Sequence, residues 1–240
     1  MRLPLKKTYF LWTILLSSTL ANAADYDGLL EPYRIVHVSS AVTGVLDAVL
    51  VERGDRVRKG QVIARLKSGV ERANVNLAKV HYEYSIRKLS RNRTLIKKKL
   101  ISESDRDKLE TDAQVADAEL NVARQKLSLL TIRSPVTGVV MERQHSAGEF
   151  VRNDEIAQLA QVDPLNIEVI LPASMLTTVK MNMELDVSIG APLNKTLKAK
   201  IVIIDPVVDA ASNTIGVRLN LPNEKLAIPA GLKCKVHIPD

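Results

Sequence analysis

The sequence of 240 residues contains one cysteine, Cys234, and aromatic side chains make up only 3% of it. A single cysteine excludes an internal disulfide and, with it, a disulfide-stabilised secreted module. Scarce aromatic residues argue against a base-stacking nucleic-acid surface and against a large aromatic-lined ligand pocket. Long apolar runs are also missing, because the longest has about 12 residues whereas a bilayer-spanning helix needs about 20.

The segment 1–23 has the organisation of a secretory signal peptide. Basic residues come first, an apolar run follows over 9–20, and Ala21-Asn22-Ala23 matches an A-x-A cleavage site. The alternative is an uncleaved membrane anchor. Export without disulfides favours the bacterial periplasm, with or without association to the inner membrane. Without the three basic residues of this leader the formal charge falls from +7 to +4, which does not indicate a nucleic-acid partner.

A short motif occurs twice, about 94 residues apart. Val42-Thr43-Gly44-Val45 is matched by Val136-Thr137-Gly138-Val139, and a second glycine follows ten residues after each central one, at Gly54 and Gly148. Each half has the pattern of a strand, a tight turn and another strand. Because neither half is large enough to bury its own apolar face, the repeat predicts two halves packed face to face as a small β sandwich.

The segment between the two halves is predicted to form a long antiparallel helical hairpin. Residues 69–131 contain no proline and no glycine after Gly69, and good helix formers dominate. Ser68 to Glu71 fits a capping box at the start, and the turn is expected near 99–104. Apolar residues at heptad spacing predict a coiled-coil seam between the arms. The predicted seam consists of Val70, Ala73, Leu77, Val80 and Tyr84 in the first arm and of Leu109, Ala113, Ala116, Leu120, Ala123, Leu127 and Leu130 in the second.

The C-terminal region alternates apolar and polar residues in five or six short segments, which predicts a compact β-barrel with one short helix near 174–179. The fold class is therefore mainly β with a long α-helical hairpin. The expected organisation is a signal peptide (1–23), an N-terminal segment (24–37), a first sandwich half (38–68), the hairpin (69–131), a second sandwich half (132–162) and the β-barrel (163–240).

Over roughly 31–240 this architecture resembles the periplasmic adaptor, or membrane fusion, proteins (HlyD-like) of Gram-negative efflux and secretion systems, whose sandwich is a split lipoyl-type domain. Adaptors of resistance–nodulation–division (RND) pumps carry an arginine at the hairpin tip, a leucine four residues on and a serine seven further. Arg91, Leu95 and Ser102 match that pattern. The resemblance implies that these residues dock onto an outer-membrane channel.

Other roles for the same tip residues stay open. Ser102 can cap the second helix, Leu95 can belong to the seam, and Arg91 can be a solvated charge. The neighbouring Lys97, Lys98 and Lys99 are either a solvated tip or a group that steers the tip toward an acidic channel mouth.

The resemblance implies an adaptor that links an inner-membrane transporter, specifically an RND pump, to an outer-membrane channel for efflux of small molecules. It also implies self-association into a hexameric ring. The alternatives are an adaptor of an ABC-type exporter and an envelope scaffold outside any transport complex. The membrane-proximal fourth domain of many pump adaptors is expected to be missing, because few residues precede the first sandwich half.

Catalytic signatures are not found in the sequence. His37, His81, His145 and His237 lie far apart without a cysteine partner, and no spacing matches a metal motif. No P-loop, nucleophile elbow or dinucleotide fingerprint occurs. In a lipoyl or biotinyl carrier the cofactor lysine sits on the turn between the halves, and here the hairpin replaces that turn. We therefore expect no enzyme activity, no cofactor and no resident metal, with an exported enzyme or carrier as the remaining alternative.

Overall fold

A computed structural model describes residues 23–98 and 100–239. The expected signal peptide therefore lies outside the described residues except for Ala23, and so does Lys99. The elements are β1 (Ala23–Ser39), β2 (Gly44–Val49), β3 (Arg56–Val57), β4 (Val62–Leu66), α1 (Gly69–Lys97), α2 (Glu103–Leu129), β5 (Thr131–Arg133), β6 (Gly138–Arg143), β7 (Phe150–Val151), β8 (Glu155–Pro172), a short 3-10 helix (Ala173–Thr177), β9 (Glu184–Ile189), β10 (Lys195–Ile204), β11 (Thr214–Leu221) and β12 (Lys233–Pro239).

The predicted fold class, mainly β with a long helical hairpin, is confirmed. The chain forms two compact units. Of the described residues, one unit contains 29–167 and 220–232, and the other contains 23–28, 168–219 and 233–239. Within the described ranges, neither helix of the hairpin has the length and apolarity needed to cross a membrane.

In the first unit each half of the repeat pairs within itself, β2 with β4 and β6 with β8, and also pairs with the other half. β2 of the first half pairs with β7 of the second, where Gly44 lies opposite Val151. β3 of the first half pairs with β6 of the second, where Val57 lies opposite Gly138. Both halves also contribute to one buried core. Since each half completes the sheets of the other, the sandwich needs both segments despite their separation in sequence.

Hydrogen bonds in equivalent positions join the halves. The turn glycines Gly54 and Gly148 both have φ of 93°, a left-handed conformation that glycine adopts without the steric cost of a Cβ. Each turn donates one amide hydrogen bond to a strand of the other half and accepts one from it through a carbonyl. The four bonds are Gly54 N to Val140 O (2.9 Å), Gly148 N to Leu46 O (2.8 Å), Val140 N to Asp55 O (2.9 Å) and Leu46 N to Glu149 O (2.8 Å).

The repeat extends to Ser40 and Ser134, which the sequence motif did not include. Both side chains are buried, with 2% exposure. The hydroxyl of Ser40 donates to the carbonyl of Val42 at 2.5 Å, and that of Ser134 donates to Val136 at 2.6 Å. Each serine therefore satisfies its buried hydroxyl locally, at the entry to the repeated strand. Their spacing of 94 residues was the available signal.

In the second unit the hydrogen-bonded strand order is β1-β12-β9-β10-β11-β8, and an additional β1–β8 pairing closes six strands into the predicted barrel. Cys234 on β12 is 4% exposed. Burial, with a smaller contribution from Asp27, raises the pKa of the Cys234 thiol to about 11. Because the thiolate is the reactive form, this cysteine acts as a small buried apolar residue rather than as a reactive thiol.

Candidate docking surfaces on the helical hairpin

The hairpin consists of the two long helices of the described residues. α1 has 29 residues and α2 has 27, so each is on the order of 40 Å long at about 1.5 Å per residue. Residues 98–102 connect them, close to the predicted turn, and Leu100 N donates to Leu95 O at 2.9 Å. The capping box predicted at the start of α1 is wrong, because Ser68 makes no side-chain cap hydrogen bond there.

The predicted seam of α2 is confirmed. Ala113, Ala116 and Leu120 are buried on α2. Leu130, which follows the helix, is buried in the core of the sandwich. The remaining members, Leu109, Ala123 and Leu127, are half-buried. Alanine at successive seam positions allows the helix axes to approach closely, because the separation of packed helices depends on the side chains at their contact.

The predicted seam of α1 is wrong. Leu77 is 72% exposed and Tyr84 is 52% exposed, and Val70 and Val80 are exposed as well. A second heptad series of α1 is protected from solvent instead. Ser85 is its buried member, and its other members are half-buried. Small side chains in that series, such as Ala78 and Ser85, fit the close approach that the alanines of α2 permit. The protected series is Val75, Ala78, Tyr82, Ser85, Leu89, Asn92 and Ile96.

This arrangement leaves an exposed apolar stripe on each helix. We define the α1 stripe as Val70, Ala73, Leu77, Val80 and Tyr84, and the α2 stripe as Val115, Ala118, Val122 and Leu129. Successive residues of an α-helix are about 100° apart around its axis. On each helix the stripe is therefore rotated by roughly 150° from the seam, and the direction of this rotation is the same on both helices. Because the helices are antiparallel, both stripes tilt toward one face of the hairpin. Contiguous exposed apolar surface of this kind is typical of an interaction site.

Two open cavities follow these stripes. One, of about 780 Å³, runs along α2 past Val115, Val122 and Leu129 to Val42 at the sandwich. The other, of about 700 Å³, lies along α1 past Leu77, Val80 and Tyr84. On this face His81 Nδ1 and Glu119 Oε2 are 3.1 Å apart and join the two helices. The flanks are therefore concave apolar surfaces rather than scattered exposed side chains.

The three tip residues are all exposed. Ser102 caps α2, since its Oγ accepts from Asp105 N at 3.0 Å and donates to Asp105 Oδ2 at 2.6 Å. Leu95 is 40% exposed, and the protected series passes through Ile96 instead, so the seam alternative for Leu95 is wrong. Arg91 donates weakly to the carbonyl of Arg87 at 3.4 Å and forms no ion pair with any described residue.

Charge is segregated between the two arms at the distal end of the hairpin. In α1, residues 87–98 carry six basic side chains and no acidic one, whereas residues 103–112 of α2 carry five acidic and two basic ones. Lys88 Nζ and Asp112 Oδ2 are 3.5 Å apart across the arms. The hydrogen bond to Asp107 raises the pKa of Arg106. Lys97 and Lys98 are exposed. The distal part of α1 is therefore basic, whereas the distal part of α2 is acidic.

The histidines do not gather into a site. Each pairs with one carboxylate, at Nδ1–O distances of 2.6 to 3.1 Å, and the partners are Glu155 for His37, Glu119 for His81, Glu149 for His145 and Asp25 for His237. Over residues 23–98 and 100–239, no three His, Cys, Asp or Glu side chains are placed to hold a metal ion.

Two family models match the chain. The model for the CzcB-like, barrel-sandwich hybrid domain matches residues 34–161, and the model for the CusB-like, beta-barrel domain matches 165–240. An uncharacterized protein of Haemophilus influenzae is 25% identical over 232 residues, which cover 95% of this chain and 58% of that protein. The solvent efflux pump periplasmic linker SrpA of Pseudomonas putida is 25% identical over 230 residues, covering 88% of this chain and 60% of SrpA.

Among solved structures, a MacA–MexA chimeric protein containing the Pseudomonas aeruginosa MexA alpha-hairpin domain has a similar fold. Its TM-score is 0.74 at 20% identity, over 92% of this chain and 83% of the chimera. The curated relatives above are longer, so the chain spans somewhat less than two thirds of their length. The sandwich, the hairpin and the barrel are thus all found together in known proteins.

Proposed function

Because this chain belongs to the periplasmic adaptor, or membrane fusion protein, family, we propose that it links an inner-membrane transporter to an outer-membrane channel. The hairpin inserted between the two sandwich halves carries this proposal. Both helices expose an apolar stripe, and the tip residues Arg91, Leu95 and Ser102 are exposed, which suits contact with a partner. Adaptors of this family are not enzymes, and this chain acts by assembly rather than by catalysis.

We propose the periplasm as its location, since SrpA is named a periplasmic linker and the segment 1–23 has the pattern of a signal peptide. The division into 24–37, 38–68, 69–131, 132–162 and 163–240 remains our proposal for the rest of the chain. The transporter we propose is an RND pump that exports small molecules. The tip pattern and the relatives named as efflux pump linkers support it.

For the hairpin tip we propose docking on the channel through Arg91, Leu95 and Ser102. The exposure of all three side chains supports this role. The cap formed by Ser102 is compatible with it, since an exposed hydroxyl oxygen retains acceptor capacity. Lys97, Lys98 and Lys99 are proposed to steer the tip toward an acidic channel mouth, because complementary charge mainly accelerates encounter.

Replacing Arg91 by aspartate is expected to weaken channel capture by at least about tenfold, since a lost charge-assisted contact costs about 1.5–3 kcal/mol. Arg91→Asp leaves the hairpin intact because the residue forms no ion pair with the described residues. The measurement is pull-down of the outer-membrane channel from cells that carry the whole complex, together with drug susceptibility.

The matched control is Arg93→Asp, which makes the same charge change two residues away on α1, outside the tip pattern. It should retain capture and resistance. Equal loss in both variants would show a general charge effect and reject the specific docking role.

Cross-linking in the same cells identifies the transporter. Capture of an RND permease supports the proposal, whereas capture of an ABC exporter replaces the RND pump as the proposed transporter. Capture of neither a transporter nor a channel leaves the scaffold alternative.

For self-association we propose a ring, hexameric as the resemblance implies, in which the α1 stripe of one copy packs on the α2 stripe of the next. Val70, Leu77 and Tyr84 repeat every seven residues, as do Val115, Val122 and Leu129, so the stripes match in period. Charge supports this direction of packing. The basic distal part of α1 would meet the acidic distal part of α2, whereas pairing like arms would place like charges together.

The double variant Leu77→Asp with Val122→Asp is expected to abolish self-association, because it buries two charges in the proposed contact at a cost of several kcal/mol. Both side chains are exposed in the isolated chain, so helicity should not change. Sedimentation velocity and circular dichroism measure the two properties.

Asn76→Asp with Asn121→Asp is the matched control, since it adds the same charges one residue before each stripe position. This control should assemble like the wild type. If the stripe variant also assembled normally, the stripes would not be the contact between copies.

A further inference from the structure

A pocket of about 440 Å³ lies in the unit that contains the barrel. Its lining comes from β1, β9, β10 and β12 and from the turn that joins β9 to β10. The buried side chains Ile189 and Cys234 contribute its apolar part. Polar groups surround them, so the pocket has an apolar floor and a polar rim.

The rim is basic. Lys195, Lys233 and Lys235 line the pocket, and Asp27 is the one carboxylate among the described lining residues. Lys235 Nζ lies 3.8 Å from Asp27 Oδ1, and both side chains are largely exposed, so this pair is weak. Two ammonium groups remain without a compensating carboxylate in the lining. Excess positive charge around a small concavity favours an anion.

Two hydroxyl groups, of Ser188 and Thr196, also line the pocket. Their oxygens are 3.1 Å apart. Ser188 Oγ is 2.6 Å from His237 Nε2, and His237 Nδ1 is 2.6 Å from Asp25 Oδ1. A continuous chain of hydrogen bonds therefore runs from a carboxylate through an imidazole to the hydroxyls in the pocket wall.

Which groups donate and which accept in this series of hydrogen bonds depends on the charge of His237. In the neutral imidazole Nδ1–H donates to Asp25, and Nε2 must accept the proton of the Ser188 hydroxyl. The serine oxygen then presents only lone pairs to the pocket. In the imidazolium form Nε2–H donates to Ser188 Oγ. The Ser188 hydroxyl then no longer donates to His237, so one hydroxyl of the Ser188–Thr196 pair donates a hydrogen bond into the pocket. Protonation thus adds a donor to the basic rim.

Charged groups around His237 come from each strand packed beside it. Asp25 contacts it from β1, and Asp186 lies opposite it on β9. On β10 Lys198 is the register partner of Asp186, and Lys235 precedes His237 by two residues on β12. Carboxylates therefore lie on both strands that flank His237, and histidine is the side-chain type that changes charge between pH 5 and 8.

We propose that this pocket binds a phosphate group, as a lipid headgroup or as a free phosphodiester, and that protonation of His237 strengthens binding by freeing a hydroxyl proton of the Ser188–Thr196 pair to donate to the phosphate. The lysine ammonium groups supply positive charge and donate short hydrogen bonds to the phosphate oxygens. The site lies on the barrel and does not depend on the proposed docking of the hairpin.

The test is titration calorimetry of the full chain with glycerophosphoglycerol, a diester that keeps one negative charge between pH 5 and 8. Lys233→Gln combined with Lys235→Gln is expected to weaken binding about tenfold. Lys198→Gln, on the adjacent strand and outside the pocket, is the matched control and should bind like the wild type. Equal affinity of the pocket variant and this control would overturn the proposal.

The pH dependence tests the hydroxyl reversal separately. From pH 8 to pH 6 the wild type should bind about threefold to tenfold more tightly, the effect of one added hydrogen bond, whereas His237→Gln should show no change. A flat wild-type profile would overturn the role of His237. Circular dichroism of His237→Gln checks that the barrel is folded.

Vesicles distinguish the two sources of phosphate. Flotation with vesicles of phosphatidylcholine containing phosphatidylglycerol, against phosphatidylcholine alone, should capture the wild type more than the lysine variant if the ligand is a lipid. Binding of the soluble diester without vesicle capture would identify a free phosphodiester. Binding of neither probe would overturn the proposal as a whole.

Discussion

Substituting Gly138 by alanine is expected to destabilise the β sandwich by about 3 kcal/mol, the upper end of the usual cost of overpacking. A Cβ at this position would lie 2.1 Å from the backbone oxygen of Ala160 and 2.9 Å from its carbonyl carbon. Val139, the next residue, pairs with Ala160 in the β6–β8 ladder. Since both contacts are backbone atoms, the clash is relieved only by separating the two strands. Urea unfolding followed by circular dichroism measures the loss.

The repeat supplies the matched control, Gly44→Ala. A Cβ there meets Leu66 Cδ2 at 2.7 Å, and the next nearest atoms are 3.8 Å away. The end of a leucine side chain can change rotamer, so the expected cost is about 1 kcal/mol. Equal costs at the two glycines would contradict the argument, because the motif would then need glycine for its turn geometry rather than for the close approach of β6 to β8.

Asn223→Ala is expected to cost about 3 kcal/mol in the unit that contains the sandwich. Asn223 is buried, and its amide donates to Val162 O at 2.8 Å and to Ile228 O at 2.9 Å, while its oxygen accepts from Ile228 N at 3.1 Å. Truncation leaves three backbone groups without their partner, and each buried unsatisfied group costs roughly 1–3 kcal/mol. Increased proteolysis within 222–231, together with a lower urea midpoint, would report the loss of this anchor.

Asn220→Ala serves as the comparison three residues earlier. Its Oδ1 is buried but accepts no hydrogen bond from the described residues, so removing the side chain is expected to change stability by less than about 1 kcal/mol. If Asn220→Ala were as harmful as Asn223→Ala, burial of the amide rather than its hydrogen bonds would explain the effect.

The overall fold was largely predictable because its signals are local and repeated. The spaced pairs Gly44–Gly54 and Gly138–Gly148 revealed two equivalent halves, and a stretch without proline marked the hairpin between them. The pairing of strands between the halves was not predictable. A strand pattern specifies an apolar face but not its hydrogen-bonding neighbour, which the packing of the whole sandwich selects.

The docking surfaces were predictable in part. The tip residues could be located because the turn of the hairpin follows from the lengths of its arms, and the structure exposes all three. The seam of α1 could not be located, because α1 carries two heptad series and spacing alone does not rank them. The more apolar series was the natural choice, yet the helix packs through Ala78 and Ser85 and exposes Leu77 and Tyr84.

The sequence by itself determined the order of the elements, the repeated turns and the position of the hairpin tip, since turn residues and helix-forming runs act over a few neighbours. Only the tertiary structure decided which side of α1 is exposed, why Gly138 tolerates no Cβ, and how Asp25, Ser188 and His237 meet beside a basic pocket. Those features join strands or helices that are distant along the chain, and their contacts depend on distances that no local pattern encodes.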